Sequence, residues 1–352
     1  MERKLPICLC PTIRFECWTY QRVAIISAYR EFDDWFIHHL NNLYVTSEYD
    51  CDFGWFGKKY NQVSHYEDIL ETEEKLYKAY DCESIIPEIC RRIDSHTYTI
   101  IDIDSSKIYK HFETTFVAQF LIYGYDEEKR IFYTPCPLDG WHEHEIDWDD
   151  FIEAFKVRRE FTKEQKGEMT ARQNPYPILF ITPKLQVKPQ IQLSRFYNDL
   201  KSVLNAADTT YRFQNRENMD FYFYEGILGV LTGLKDLMQR VLDNQFDIGN
   251  LGYDHEFSSG YCKIYEYNSM FHQNLKRLDA CFDLHISNEL YSQVEEVLLL
   301  THKLRKAVLV YMNDNKKGHL KNGLHYLDEI KLKEKEIFSN LVTLIENYFI
   351  EG

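Results

Sequence analysis

The feature that most constrains the fold of this chain is a change of hydrophobic period near residue 182. Before it, short β-rich runs mix with a few helical stretches. Beyond the proline-marked segment NPYPILFITPKLQVKPQ (174–190) the pattern is almost wholly helical. Strand signals gathered ahead of helix signals predict an α+β chain. The expected domains are 1–183, mixed, and 184–352, all-helical; 352 residues suit two domains with a sizeable core in each.

In the first half, CWTYQRVAIISAYREF (17–32) sets Val23, Ile26 and Tyr29 on one face, which predicts a helix with Cys17 in its first turn. SIIPEICRRID (84–94) predicts a second helix, and TYTIIDID (97–104) alternates as a strand. FVAQFLIYGY (116–125) and RIFYTP (130–135) read as a hairpin across DEEK. WHEHEI (141–146) alternates again, WDDFIEAF (148–155) is helical, and PILFIT (177–182) is a last buried strand. In the second half, helices are expected over 219–242, 261–282, 290–312 and 325–349. Leu290, Val294, Val297, Leu298, Leu304 and Val308 fall largely on one face of the third. The expected result is a bundle that packs on the first domain or on a second chain, giving a homodimer.

A formal net charge of -15 argues against a nucleic-acid backbone as partner, since a phosphate polymer needs a basic face. The opening MERKLPICLCPTIRFEC is interrupted by Pro6 and Pro11 and lacks the apolar run of a signal peptide. No stretch approaches the roughly 18 apolar residues of a membrane helix, so a soluble, cytoplasmic protein is expected. Nine cysteines at irregular spacing fit reduced thiols better than a disulfide framework. Cys8 and Cys10 form a CxC with no second pair at metal-site spacing, and no metal site is expected. Glycine-rich phosphate loops and dinucleotide fingerprints are lacking, so no cofactor is expected either.

Cys17 is the residue with the most evident chemistry. Backbone N–H groups and the dipole at a helix N-terminus favour the thiolate, and neighbouring backbone donors can hold an oxyanion. Position alone still favours a small buried hydrophobe, the commoner use of a cysteine.

The order of segments adds to this. A Cys-led helix with CW at 17–18 is followed by a strand-rich segment, LIYGYDEEKRIFY, IDWDDFIEAF, and a helical half carrying IYEYNSMFHQNLKRL. This order, over nearly the whole chain from about Leu5, resembles the butirosin biosynthesis protein H-like family. These are papain-superfamily proteins that accompany nonribosomal peptide and polyketide clusters. The resemblance implies a papain-like N-terminal domain and a helical C-terminal one. It also implies a Cys nucleophile at a helix start, a His opening a central strand, and an Asp or Asn on the next. Cys17 matches the first position. Ala118, or Gln119 with a one-residue shift, stands at the second, and Cys136 at the third.

Three consequences stay open. Another histidine takes the role: His142 or His144 of GWHEHE, whose alternation points both to one face of a strand, or His111 by folding back. The bland alternative for the pair is a polar edge strand interleaved with Glu143 and Glu145, and a metal on this HxH is a further reading. Alternatively Cys17 works without a full triad, since passing an acyl group between thiols needs less help than cleaving an amide. Or the fold survives as a binding scaffold. The resemblance thus implies a cysteine-dependent acyltransferase or amide synthase of antibiotic biosynthesis. It would move an acyl chain from an acyl or peptidyl carrier protein, through Cys17, to a small amine. An accessory pseudoenzyme is the leading alternative and a peptidase the next. Trp18, Gln119 and Asp104 are the candidate cleft residues. FKVRREFTKEQKGEMTAR (155–172) is the one locally basic stretch, either a dock for an acidic carrier or a solvated charged face. MDFYFYEG (219–226) is aromatic core or the wall of an acyl tunnel.

Overall fold

The computed structural model describes the chain apart from residues 16, 40–42, 47–50, 54–64, 110–116, 138–139, 165–177, 207–209, 215–219, 249–253 and 352. The elements run β1 (Glu2–Lys4), α1 (Cys17–Ile26), α2 (Trp35–His39), β2 (Leu43–Thr46), β3 (Cys51–Phe53), β4 (Leu70–Lys75), α3 (Ile85–Asp94) and β5 (Tyr98–Asp104). Next come α4 (Ser105–Ile108), β6 (Val117–Ile122), β7 (Gly124–Asp126), β8 (Ile131–Cys136), β9 (His142–Asp147), α5 (Trp148–Glu164) and β10 (Ile178–Pro183). The remainder is α6 (Leu193–Ala206), β11 (Thr210–Gln214), β12 (Asp220–Glu225), α7 (Gly226–Leu242), α8 (Asp254–Phe282), α9 (Asn288–Asp314) and α10 (Lys317–Glu351). The chain is α+β with a helical C-terminal region.

Two compact units divide it: Met1–Asp33 with Tyr66–Lys188, and Asp34–His65 with Pro189–Gly352. This differs from a single cut after residue 183. The segment Asp34–His65 belongs with the C-terminal part because β2 pairs antiparallel with β12, Tyr44 opposite Glu225.

The first unit holds two four-stranded antiparallel sheets, ordered β1-β7-β8-β9 and β4-β10-β5-β6. β5 is an inner strand of the second, and all seven of its residues are buried, as its Ile-rich run requires. α3 buries Ile85, Ile86, Ile89 and Ile93 at helical spacing, and Pro87 is tolerated because it lies in the first turn. The expected 116–125/130–135 hairpin is corrected. The run is divided near Tyr123, so that β6 pairs with β5 while β7 pairs with β8. The DEEK turn itself forms. Asp126 Oδ1 accepts from the Glu128 and Lys129 amides at 3.0 and 3.2 Å, and Arg130 takes the left-handed conformation at φ 57°. The first helix also stops earlier than expected, at Ile26, with a separate 3-10 turn at Arg30–Phe32.

The second unit is not all-helical: a sheet ordered β11-β12-β2-β3 accompanies α2 and α6 to α10. The helix expected over 219–242 is strand β12 followed by α7. Gly226 separates them with φ 71°, a conformation that ends the strand at little cost only for glycine. α9 follows the expected stripe in burying Leu290, Val294, Val297, Leu304 and Val308, while Leu298 is only half-buried. Its Ser287 N-cap accepts the Leu290 amide at 3.2 Å, and Asn315 closes it in the left-handed conformation at φ 56°.

α7 packs on the sheet through glycine. A Cβ built on Gly233 would stand 2.5 Å from Val45 Cγ1 and 2.9 Å from the Tyr224 ring. Gly233→Val is therefore expected to destabilise the protein by about 1–3 kcal/mol despite the helix propensity it gains. Gly318→Ala, where nothing lies within 4 Å, is expected to stabilise by up to about 1 kcal/mol. Urea midpoints of the two variants, moving in opposite directions from the parent, check both.

Among the described residues no helix is long and apolar enough to cross a membrane. Cys8, Cys10, Cys51, Cys82, Cys90, Cys136, Cys262 and Cys281 are free thiols.

Candidate functional site

Cys17 is the first residue of α1. One turn on, Tyr20 stacks on Trp141 with ring centroids 3.5 Å apart and donates its hydroxyl to the Leu9 carbonyl at 2.9 Å. Gln21 is buried and its Nε2 donates to the Gln119 carbonyl at 2.8 Å. The thiol-bearing helix is thereby fastened to β6 and to the residue preceding β9.

On β6 the register gives Ala118 and Gln119 different neighbours. Ala118 stands opposite Ile103, and Gln119 opposite Asp102. Adjacent strand residues face opposite sides of a sheet, so only one of the pair can serve a given cleft. Gln119 Nε2 donates to Asp102 Oδ1 at 3.3 Å. Asp104, a candidate cleft residue, has another task. Fully buried, it N-caps α4, accepting from Ser106 N at 3.0 Å and Ser106 Oγ at 2.8 Å.

The two histidines come together with a cysteine. β8 and β9 pair so that Cys136 is opposite His142 and Thr134 opposite His144. Opposed residues, and residues two apart, share a face. One donor atom from each of Cys136, His142 and His144 therefore converges, all within 4.8 Å of one another. His142 Nδ1 is 2.8 Å from the Gly140 carbonyl, which accepts its proton and leaves Nε2 with a free lone pair. The Tyr109 hydroxyl hydrogen-bonds to Cys136, and burial, followed by that bond, raises its pKa. The Tyr109 ring also lies against His144, centroids 5.4 Å apart. Burial, then the neighbouring His142, lowers the His144 pKa and keeps the ring neutral near pH 7.

The intervening Glu143 belongs to the other face. It accepts from Lys4 Nζ at 2.8 Å and from the Tyr123 hydroxyl. Burial alone would raise its carboxyl, but those two bonds outweigh it and hold the pKa below the ordinary glutamate value. HEHE is thus two networks on two faces, rather than histidines paired with their neighbouring glutamates.

His111 and residues 165–172 of the basic stretch lie outside the described residues, as do the side chains of Cys17, Trp18 and most of the 219–226 aromatic run. Sequence reasoning missed Cys136 as a partner of the histidines and Gln119 as a partner of Asp102. The spacing Cys-x5-His-x-His across a hairpin was the available signal for the first. No protein-family model matches the chain, and no curated protein matches it.

Proposed function

We propose that the chain is a cysteine-dependent acyltransferase or amide synthase, built on a papain-like N-terminal domain and serving thiotemplated antibiotic biosynthesis in the cytoplasm. The observation that carries this reading is the fastening of the Cys17-led helix to β6 through Gln21 and the Gln119 carbonyl. A Cys-bearing helix start against an antiparallel strand is the arrangement in which that superfamily does its acyl chemistry.

In the first half-reaction the Cys17 thiolate attacks the thioester carbonyl of an acyl or peptidyl carrier protein. The new C–S bond replaces the old one, and the carrier thiol leaves with a proton from solvent. An amine then attacks the acyl-Cys17 thioester, the amide forms, and the thiolate returns while the amine's proton passes to solvent. Each leaving group is a thiolate, which departs without general-acid help. Ala118 and Gln119 in place of a strand histidine are therefore compatible with acyl transfer and unfavourable for proteolysis, where a poor amine must leave.

The test is intact-protein mass spectrometry after mixing with an acyl-loaded carrier protein or a simple acyl thioester. One acyl adduct in the parent and none in Cys17→Ala is the expected result. No adduct with any donor, in a folded protein, would sink the acyltransferase. It would favour the second reading, a non-catalytic accessory protein, for which the engagement of the Gln119 amide by Asp102 already speaks.

A further inference from the structure

We propose that Cys136, His142 and His144 form a zinc site with an open coordination position. The three donors come from one hairpin, and the cross-strand register alone brings them to one face. One thiolate sulfur and two imidazole nitrogens are a borderline-soft set that suits Zn²⁺ and does not suit Mg²⁺ or Ca²⁺, which require oxygen ligands. With Zn–S near 2.3 Å and Zn–N near 2.0–2.1 Å, ligand atoms of a tetrahedral site stand roughly 3.3–3.6 Å apart. The donors here, all within 4.8 Å of one another, need close by only about an ångström, which side-chain rotation supplies.

The surroundings fit the same ion. Metal-bound histidines characteristically give their second nitrogen's proton to a carbonyl or carboxylate, as His142 Nδ1 does to Gly140 O at 2.8 Å. The Tyr109 hydroxyl is placed to hydrogen-bond a Cys136 thiolate. Cys136 is buried, His144 half-buried and His142 exposed, so the cluster opens to solvent on one side. Three protein ligands with solvent at the fourth position is the pattern of a reactive rather than a purely structural zinc. The open position would take water, or an anionic oxygen or sulfur of a bound molecule.

The full-length protein, stripped with chelator, is titrated with Zn²⁺ against a chromophoric competitor and separately loaded with Co²⁺. The expected result is one tight equivalent of zinc per chain, and a thiolate-to-cobalt charge-transfer band. Cys136→Ser should abolish the band. Both Cys136→Ser and the double variant His142→Ala/His144→Ala should weaken zinc binding by at least the roughly 10–100-fold that outer-shell partners are worth. Cys281→Ser, an exposed thiol in the other unit, should change neither readout. Absence of a tight equivalent in the parent, or its retention in the double-histidine variant, would overturn the site. If Cys136→Ser fails to fold, the histidine variant, altered on a solvent-facing strand, decides alone.

Discussion

Above about pH 8, Glu334→Gln should resist urea better than the parent, whereas near pH 4 the two should unfold almost together. Glu334 lies in α10, is 1% exposed, and has one partner for one oxygen: Asn268 Nδ2 donates to Oε1 at 2.8 Å. Its other oxygen, Oε2, is buried without a partner among the described residues. Burial raises the carboxyl to about 8, with the Asn268 bond opposing. Below the ordinary glutamate pKa of 4.5 the group is protonated whether the chain is folded or not, and ionisation takes nothing from stability. Between 4.5 and about 8 the unfolded chain releases the proton while the folded one keeps it, so stability falls as pH rises. Above the folded pKa the loss is complete, on the order of 3–5 kcal/mol for a shift of this size.

Gln cannot ionise, and its amide occupies the same space and accepts the same Asn268 bond. The difference between the two proteins therefore isolates Glu334 from its neighbours that titrate in the same direction. Asp199 of α6, raised to about 6 by burial against the pull of Arg195, stays in both. So does Tyr267 of α8, whose hydroxyl is raised by burial, then by Glu334 and Asp199. Urea midpoints followed by helical circular dichroism at several pH values make the comparison. Parallel curves for the two proteins would mean that Glu334 ionises in the folded state without cost, and that the pocket is wetter than its burial implies.

Glu334 also lies where helical period makes the sequence legible. Leu327, Ile330, Phe338, Leu341 and Ile345 are all buried, and Glu334 falls on their stripe, four residues after Ile330 and seven after Leu327. KLKEKEIF looks like a solvated charged face only if its period is ignored. Local pattern sufficed for α3 and α9, because each buries one face at helical spacing, and for β5, whose apolar run is buried throughout; it marked the start of the Cys17 helix but not its end at Ile26. It could not reveal that β2 pairs with β12. The partners lie far apart in the chain, and aromatic runs such as DFYFYE satisfy strand and helix periods alike. The same limit hid the Cys136 cluster. Cys136 and the HxH at 142–144 were two unrelated observations until the β8–β9 register set Cys136 opposite His142. The pairing of Gln119 with Asp102 also needed a register, since a one-residue slip exchanges it with Ala118.

That pairing yields the second large expectation. Gln119→His should accelerate hydrolysis of a Cys17-bound acyl group by on the order of 10²–10⁴-fold, the range contributed by a positioned general base, and Ala118→His should not. Gln119 already directs its side-chain donor to Asp102 Oδ1 at 3.3 Å, so an imidazole there inherits the carboxylate that fixes its tautomer. Its carbonyl is bound by Gln21 one turn beyond Cys17, so this strand position is the one to which the helix is fastened. Ala118 is opposite Ile103 and points to the other side of the sheet, where no carboxylate of β5 faces it. Release of a chromogenic acyl group would be followed against pH. The gain should rise through the imidazole range near pH 6.5 and vanish when Cys17→Ala is added. If Cys17 still accepts acyl groups while Gln119→His hydrolyses them no faster, β6 is not the strand that serves the thiol. A gain in Ala118→His instead would assign the cleft to the opposite face of the sheet, and Asp102 would lose its part in it.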